Sequence, residues 1–163
     1  MNIAQTVKEM IEEEITKNNY ILDSVFGVND KIYRTQYTMS NGYIADAILF
    51  APAPLGTIAI DSKFPLEHYQ IMTDTKQDKS VRDAATKAFK ADVKKHIDAI
   101  RSKYIIPGET ASEAIMFLPA EAIFAEINAY HNDLIEYSYK SKVWICSPTT
   151  LMSTLTTIGM ILK

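Results

Sequence analysis

The hydrophobic and polar positions along the chain follow two different periods. Short apolar runs bounded by turn-forming residues predict strands at 33–38, 43–50, 57–63, 114–118 and 143–146. Segments whose apolar residues recur three and four positions apart predict helices at 3–17, 65–72, 81–104, 119–129 and 132–140, with a closing helix that starts at Pro148. Strands interleaved with helices indicate an α/β protein. We expect a three-layer sandwich, in which helices flank a central mixed β-sheet of about five strands.

Two of these apolar runs each carry an acidic residue in their interior. Asp46 lies within 43–50, Asp61 lies within 57–63, and the proline-containing stretch 51–56 turns the chain between them. A carboxylate is costly to bury as an anion unless a cation or hydrogen bonds compensate it. Because two neighbouring strands bear the same cost, we expect one shared cation to compensate both.

The spacing after Asp61 adds a lysine to this candidate site. Strand alternation places Asp61 and Lys63 on one face of their strand and turns the Ser62 side chain to the other. Asp46, Asp61 and the backbone carbonyl of Ser62 would form an oxygen site suited to Mg²⁺ or Mn²⁺, with Lys63 beside a bound water. Such an ion activates water and stabilises charge on a phosphoryl group. The pattern predicts metal-dependent phosphodiester hydrolysis, and a structural ion pair between Lys63 and Asp61 is the alternative.

Longer strings around these residues are similar to a known protein family. They are Tyr33-Arg34-Thr35-Gln36-Tyr37-Thr38, Asn41-Gly42, Ala45-Asp46-Ala47, Ile60-Asp61-Ser62-Lys63-Phe64-Pro65-Leu66-Glu67, Lys94-Lys95-His96-Ile97, Ser102-Lys103-Tyr104, Met116-Phe117-Leu118-Pro119-Ala120-Glu121-Ala122 and Cys146-Ser147-Pro148-Thr149-Thr150-Leu151. In these strings, from about residue 33 to its end, the chain resembles the RmuC family of DNA recombination proteins. The resemblance implies a nuclease core of the PD-(D/E)XK type with a restriction-endonuclease-like fold, and DNA as its partner.

The family pattern also implies further site residues. A carboxylate from the first helix commonly completes such a site, which indicates Glu9 or, as its alternative, Glu13, although exposed helix charge explains both equally well. Glu121 follows a strand and opens a helix, so it is either a site residue or a helix-start anion. Full-length family members often carry an N-terminal membrane anchor and a coiled-coil arm. Neither pattern occurs in these 163 residues, as expected of a trimmed core or a short relative.

Several polar residues are candidates for contacts with DNA. They are Arg34 and Gln36 before the Asp46 strand, Thr149 and Thr150 after the last strand, and Lys90 and Lys94 on the polar face of the long helix. The threonine hydroxyls either hold a phosphate or cap the closing helix. The lysine face is either a solvated surface or a stripe that contacts phosphates.

Composition limits the classes of protein to consider. A chain of 163 residues, 47% of them hydrophobic, is long enough for one substantial core, so we expect 1–163 to form a single domain. The lone cysteine, Cys146, excludes an intramolecular disulfide and fits a reducing cytoplasm. No run reaches membrane-spanning length. The net charge of −3 does not indicate a nucleic-acid binder, but a localised basic surface would suffice.

We therefore expect a cytoplasmic, Mg²⁺-dependent or Mn²⁺-dependent deoxyribonuclease domain that acts in DNA recombination. In this interpretation Asp46 and Asp61 hold the ion, and Lys63 helps to form the attacking hydroxide and to screen the phosphate. The alternative function is a non-catalytic DNA-binding or scaffolding module that keeps the fold. The sequence leaves open the oligomeric state and the choice between endonuclease and exonuclease.

Overall fold

A five-stranded mixed sheet forms the centre of the protein. The computed structural model describes residues 33–50, 56–63 and 65–154. The strands are β1 (Tyr33–Thr38), β2 (Ile44–Phe50), β3 (Thr57–Ser62), β4 (Ala114–Phe117) and β5 (Val143–Cys146), and they lie side by side in chain order. The pairs β1–β2 and β2–β3 are antiparallel, whereas β3–β4 and β4–β5 are parallel. The predicted helix at 3–17, with Glu9 and Glu13, lies outside the described residues.

Four helices follow the predicted periodicity. They are α1 (Leu66–Met72), α2 (Lys79–Tyr104), α3 (Glu121–Tyr130) and α4 (Asn132–Ser141), and residues 148–154 are also helical. The helix α3 begins two residues later than predicted because Ala120, at φ −152°, is still extended and Pro119 before it is buried. Within the described ranges, no helix is long and apolar enough to cross a membrane.

Helices cover the sheet on both faces, which confirms the predicted α/β architecture. On one face, Phe89, Val93 and Ile97 of α2 belong to the same buried cluster as Ala59 of β3 and Met116 of β4. On the other face, a second buried cluster contains Ile60, Ile115, Phe117 and, from the helical segment 148–154, Leu151. All four residues of β4 are buried, as expected of a central strand that is covered on both sides.

The predicted turn at Asn41-Gly42 joins β1 to β2. Gly42 has φ +88°, a left-handed conformation that glycine adopts without steric cost. The turn is closed by two backbone hydrogen bonds, from Gly42 N to Met39 O at 2.9 Å and from Met39 N to Tyr43 O at 2.8 Å. The hairpin therefore leads directly into the strand that carries Asp46.

Candidate active site

The strands β2 and β3 separate at the two aspartates. Their register runs from Phe50↔Thr57 to Ala47↔Ile60, and one further step places Asp46 opposite Asp61. Beyond that step, β2 continues along β1 as far as Ile44, whereas β3 continues along β4. The Lys63 amide accordingly donates to Phe117 O of β4 at 2.9 Å. We call this point, defined by Asp46, Asp61, Ser62 and Lys63, the fork.

A side chain bridges the fork in place of the backbone. Oδ2 of Asp46 accepts a hydrogen bond from the Ser62 amide at 2.7 Å. Directly opposite residues of an antiparallel pair have side chains on the same face, so the Asp46 and Asp61 carboxylates share the face that is covered by α2. The Asp46 carboxylate is also close enough to Asp61 to raise the pKa of Asp61. Asp46 itself is half-buried.

Asp61 is the buried member of the pair. It is 7% exposed, and its Oδ2 lies 3.0 Å from Nζ of Lys63. Burial raises the pKa of Asp61 from 3.8 to about 6; the neighbouring Lys63 lowers that pKa and Asp46 raises it. The Lys63 side chain keeps 25% of its surface exposed. The ammonium group therefore lies between a buried carboxylate and solvent, on the strand face that alternation predicted.

The donor set suits a hard divalent cation that keeps part of its hydration. Mg²⁺ is usually held by one or two carboxylates, with water and substrate oxygens completing the coordination. In the part of the chain that the structure describes, no group of three or more acidic, histidine or cysteine side chains could hold a metal ion. Glu9 is outside that part. The Ser62 hydroxyl, on the opposite face of β3, is buried without a hydrogen-bond partner.

Two residues beside the fork were not predicted as part of the site. The Tyr104 hydroxyl, at the end of α2, donates to Ile44 O at 2.8 Å, and burial together with the charges of Asp61 and Asp46 raises the pKa of Tyr104 to about 12. Burial, followed by the charge of Lys63, lowers the pKa of His96. Both residues lie on the predicted long helix and in strings that resemble the RmuC family, and these strings are the signal that could have found them.

The predicted carboxylate Glu121 caps a helix. Its Oε1 accepts a hydrogen bond from the Thr149 amide at 2.7 Å, at the start of the helical segment 148–154. Slight burial raises the pKa of Glu121, but hydrogen bonds from Thr149 and Ser147 outweigh it, and the net shift is downward. Oγ1 of Thr150 accepts from the Ser147 amide at 2.7 Å. Glu121 and Thr150 therefore both satisfy backbone amides at the start of this helical segment, and Glu121 does so for a helix other than the one it opens.

The candidate DNA-contacting residues have neighbours within the protein. Lys90 Nζ lies 2.8 Å from Asp133 Oδ2, and Lys94 Nζ lies 5.5 Å from the centre of the Tyr137 ring. The guanidinium carbon of Arg34 lies 5.4 Å from the centre of the Phe50 ring. Gln36 is exposed and has φ +48°, and the register of β1 and β2 places it opposite Asp46. Of these candidates, Gln36 is the one that the register brings to the fork.

The fold and the carboxylate pair define an α/β protein with a candidate acidic cation site at a fork in its sheet. The chain belongs to the RmuC family, whose model matches residues 16–163. It is 32% identical over 108 residues, 63% of this chain and 23% of the relative, to a DNA recombination protein RmuC homolog of Xylella fastidiosa (strain Temecula1 / ATCC 700964). It is 28% identical over 118 residues, 71% of this chain and 26% of the relative, to a DNA recombination protein RmuC homolog of Zymomonas mobilis. The chain thus spans about a quarter of the length of these curated relatives. No solved structure matches the chain.

Proposed function

We propose that this chain is a metal-dependent DNA nuclease domain of the PD-(D/E)XK type, which hydrolyses phosphodiester bonds in DNA recombination. The observation that carries the proposal is the fork, where Asp46 faces Asp61 and Lys63 contacts Asp61 at 3.0 Å. The mixed sheet with helices on both faces is compatible with a restriction-endonuclease-like fold. The name of the relatives, DNA recombination protein, supports DNA as the substrate.

The charge balance at the fork favours a cation. Two carboxylates and one ammonium group leave a net negative charge, which would repel a phosphate. A divalent ion would reverse that sign, and Asp61, whose pKa is raised to about 6 by burial, would gain a partner for its anionic form. Mg²⁺ or Mn²⁺, when bound, supplies the positive charge that activates water and stabilises the phosphoryl group.

The chain's own residues prepare the site for that chemistry. Asp46 and Asp61 would hold the cation, and the Ser62 amide keeps the Asp46 carboxylate in one orientation. Lys63 is oriented by Asp61, and its exposed surface would let it donate to a phosphate oxygen or to the attacking water. The buried free thiol of Cys146 is compatible with the reducing cytoplasm that we include in the proposal.

Cleavage and metal binding test the proposal together. We expect Mn²⁺ to bind the wild-type protein and Asp61→Ala to abolish that binding. Lys63→Ala should slow the cleavage of branched or linear DNA by at least about 100-fold while the protein remains folded, because it removes a charge that stabilises the reacting phosphate.

The chain offers a matched control for these variants. Lys90 and Asp133 form a second lysine–aspartate pair at 2.8 Å, between α2 and α4 and outside the fork. Asp133→Ala and Asp133→Asn, which break this pair and keep the candidate DNA-contacting residue Lys90, should leave the cleavage rate and the Mn²⁺ affinity within about twofold of wild type. Equal losses in both sets of variants would contradict a specific role for the fork.

One observation favours the alternative, a non-catalytic DNA-binding or scaffolding module. The direct contact of Lys63 with Asp61 offsets part of the cost of burying the carboxylate, as a structural ion pair would. If the purified protein binds DNA but never cuts it with Mg²⁺, Mn²⁺ or any other divalent ion, the alternative is correct.

A further inference from the structure

The strand that carries Asp46 loses its neighbour at the fork. Residues Ala47 to Phe50 of β2 pair with β3. Residues 44–46 extend beyond this pairing, towards the hairpin turn. Asp46 therefore lies at the boundary between the strand segment held on both sides and the segment held mainly by β1. A carboxylate in such a position needs additional contacts if it is to stay opposite Asp61.

The C-terminal end of α2 supplies those contacts. The Tyr104 hydroxyl donates to Ile44 O at 2.8 Å, and the Asn41 side-chain amide donates to Lys103 O at 2.8 Å. Nζ of Lys103 lies 5.0 Å from the centre of the Tyr43 ring. The turn is also tied to the loop after α2, where Ser40 donates to the Glu109 carboxylate through its amide, at 3.1 Å, and through its hydroxyl.

Among these contacts, the one from Tyr104 reaches β2 itself. It ends on the residue two positions before Asp46, which is about 7 Å along a strand. Tyr104 is 5% exposed, so its ring is held by the core while its hydroxyl reaches the strand. The other tethers lie in the turn and on exposed side chains, and they act on Asp46 from farther away.

We propose that Tyr104 is a positioning residue, whose hydroxyl bond to the Ile44 carbonyl fixes the start of β2 so that the Asp46 carboxylate faces Asp61 and the Ser62 amide. The influence of the Asp61 and Asp46 charges on the pKa of Tyr104 supports their proximity. The consequence for metal binding rests on the proposed function. The consequence for the Asp46 carboxylate is independent of the proposed function, because the hydrogen bond from the Ser62 amide to Asp46 can be measured in the absence of any metal ion.

The experiment uses Tyr104→Phe, which keeps the ring and removes the hydroxyl. Its matched control is Tyr137→Phe, which removes a hydroxyl of α4 that donates to Asp98. Asp98 lies on α2, the helix that also carries Tyr104. The first readout is amide hydrogen exchange at Ser62 compared with Ile60 on the same strand. The second readout is the Mn²⁺ affinity by calorimetry.

We expect Tyr104→Phe to increase Ser62 exchange by about 10-fold more than Ile60 exchange, because the Asp46 acceptor is no longer held in place. Mn²⁺ affinity should fall by about 10-fold, the lower end of the range for removal of groups that orient metal ligands. Tyr137→Phe should change neither. Asn41→Ala, a second variant that cuts an exposed tether, should shift Ser62 exchange in the same direction by about threefold.

Two results would overturn the proposal. If Ser62 and Ile60 exchange rise together in Tyr104→Phe, the hydroxyl only stabilises the fold. If Ser62 exchange stays at the wild-type value, the hydroxyl does not hold Asp46. If the wild type binds no Mn²⁺ but Tyr104→Phe still raises Ser62 exchange selectively, the positioning role is supported and the proposed metal-dependent function is refuted. Failure of the positioning role and failure of the proposed function are therefore distinguishable.

Discussion

The buried carboxylate of Asp61 should reduce the stability of the metal-free protein at neutral pH. Asn resembles protonated Asp in size and shape, so Asp61→Asn removes the charge and keeps the packing. The folded pKa of Asp61 is about 6, against 3.8 for the ordinary group. At about 1.4 kcal/mol per pKa unit, this difference corresponds to about 3 kcal/mol of destabilisation when the carboxylate is fully ionised in the folded state.

Whether the contribution of Asp61 to stability rises or falls with pH depends on which state, folded or unfolded, binds the proton more tightly. Because the pKa is higher in the folded protein than in the unfolded chain, the folded state binds more protons between pH 7 and pH 4. The contribution of Asp61 to the free energy of unfolding should therefore rise as the pH falls through about 6. About half of the 3 kcal/mol should be recovered by pH 5 and nearly all of it below pH 4.

Urea denaturation of the wild type and Asp61→Asn, with a chelator and at several pH values from 8 to 5, measures this effect. At pH 8 we expect the variant to be more stable, and the gap should narrow by 1–2 kcal/mol on going to pH 5. Asp83→Asn, at an exposed position of α2, is the control for removal of a carboxylate that is not buried, and it should not increase the stability at pH 8. A gap that is independent of pH, or one that widens as the pH falls, would refute the reasoning.

Three further predictions concern the core, the thiol and the cap. Phe89→Ala should lower the free energy of unfolding by about 3–5 kcal/mol in urea denaturation, because Phe89 is fully buried against Tyr69 and His131; a loss below 1 kcal/mol would contradict the packing. Cys146, whose pKa is raised to about 11 by burial, should react with Ellman's reagent at pH 8 only after unfolding; rapid reaction in native buffer would contradict its burial. Glu121→Gln should cost roughly 1 kcal/mol at pH 7 in thermal unfolding. Because the pKa of Glu121 is lowered by its hydrogen bonds, that cost should vanish as the pH falls through this pKa, and a cost that persists at low pH would exclude the charged cap.

Much of the fold could be predicted because each element repeats a local pattern. The strand positions and the helix α2 follow from periods of two and of 3.6 residues, which are set by backbone geometry and hold for any partner. The contact between Asp61 and Lys63 could also be predicted from a local pattern. Two residues that are two positions apart on a strand share a face, and their charges are opposite.

The roles of Glu121, Lys90 and Tyr104 required the tertiary structure. Glu121 is 28 positions from Thr149, whose amide it accepts, and Lys90 is 43 positions from Asp133, as their residue numbers show. A periodic pattern gives the face on which a side chain lies, but it does not give the element that packs there. The sequence therefore indicated Glu121 as a site residue or a helix-start anion, and long-range packing determined that it caps a helix.

By itself, the sequence determined the α/β class, the order of the elements, the family and the strand face shared by Asp61 and Lys63. The tertiary structure determined that β2 and β3 separate at Asp46 and Asp61, and that the Tyr104 hydroxyl contacts the strand beside them. The physical reason is that strand alternation is a property of a few consecutive peptide units. The separation of two strands depends on which neighbour each backbone group finds, and that neighbour can be any distance away along the chain.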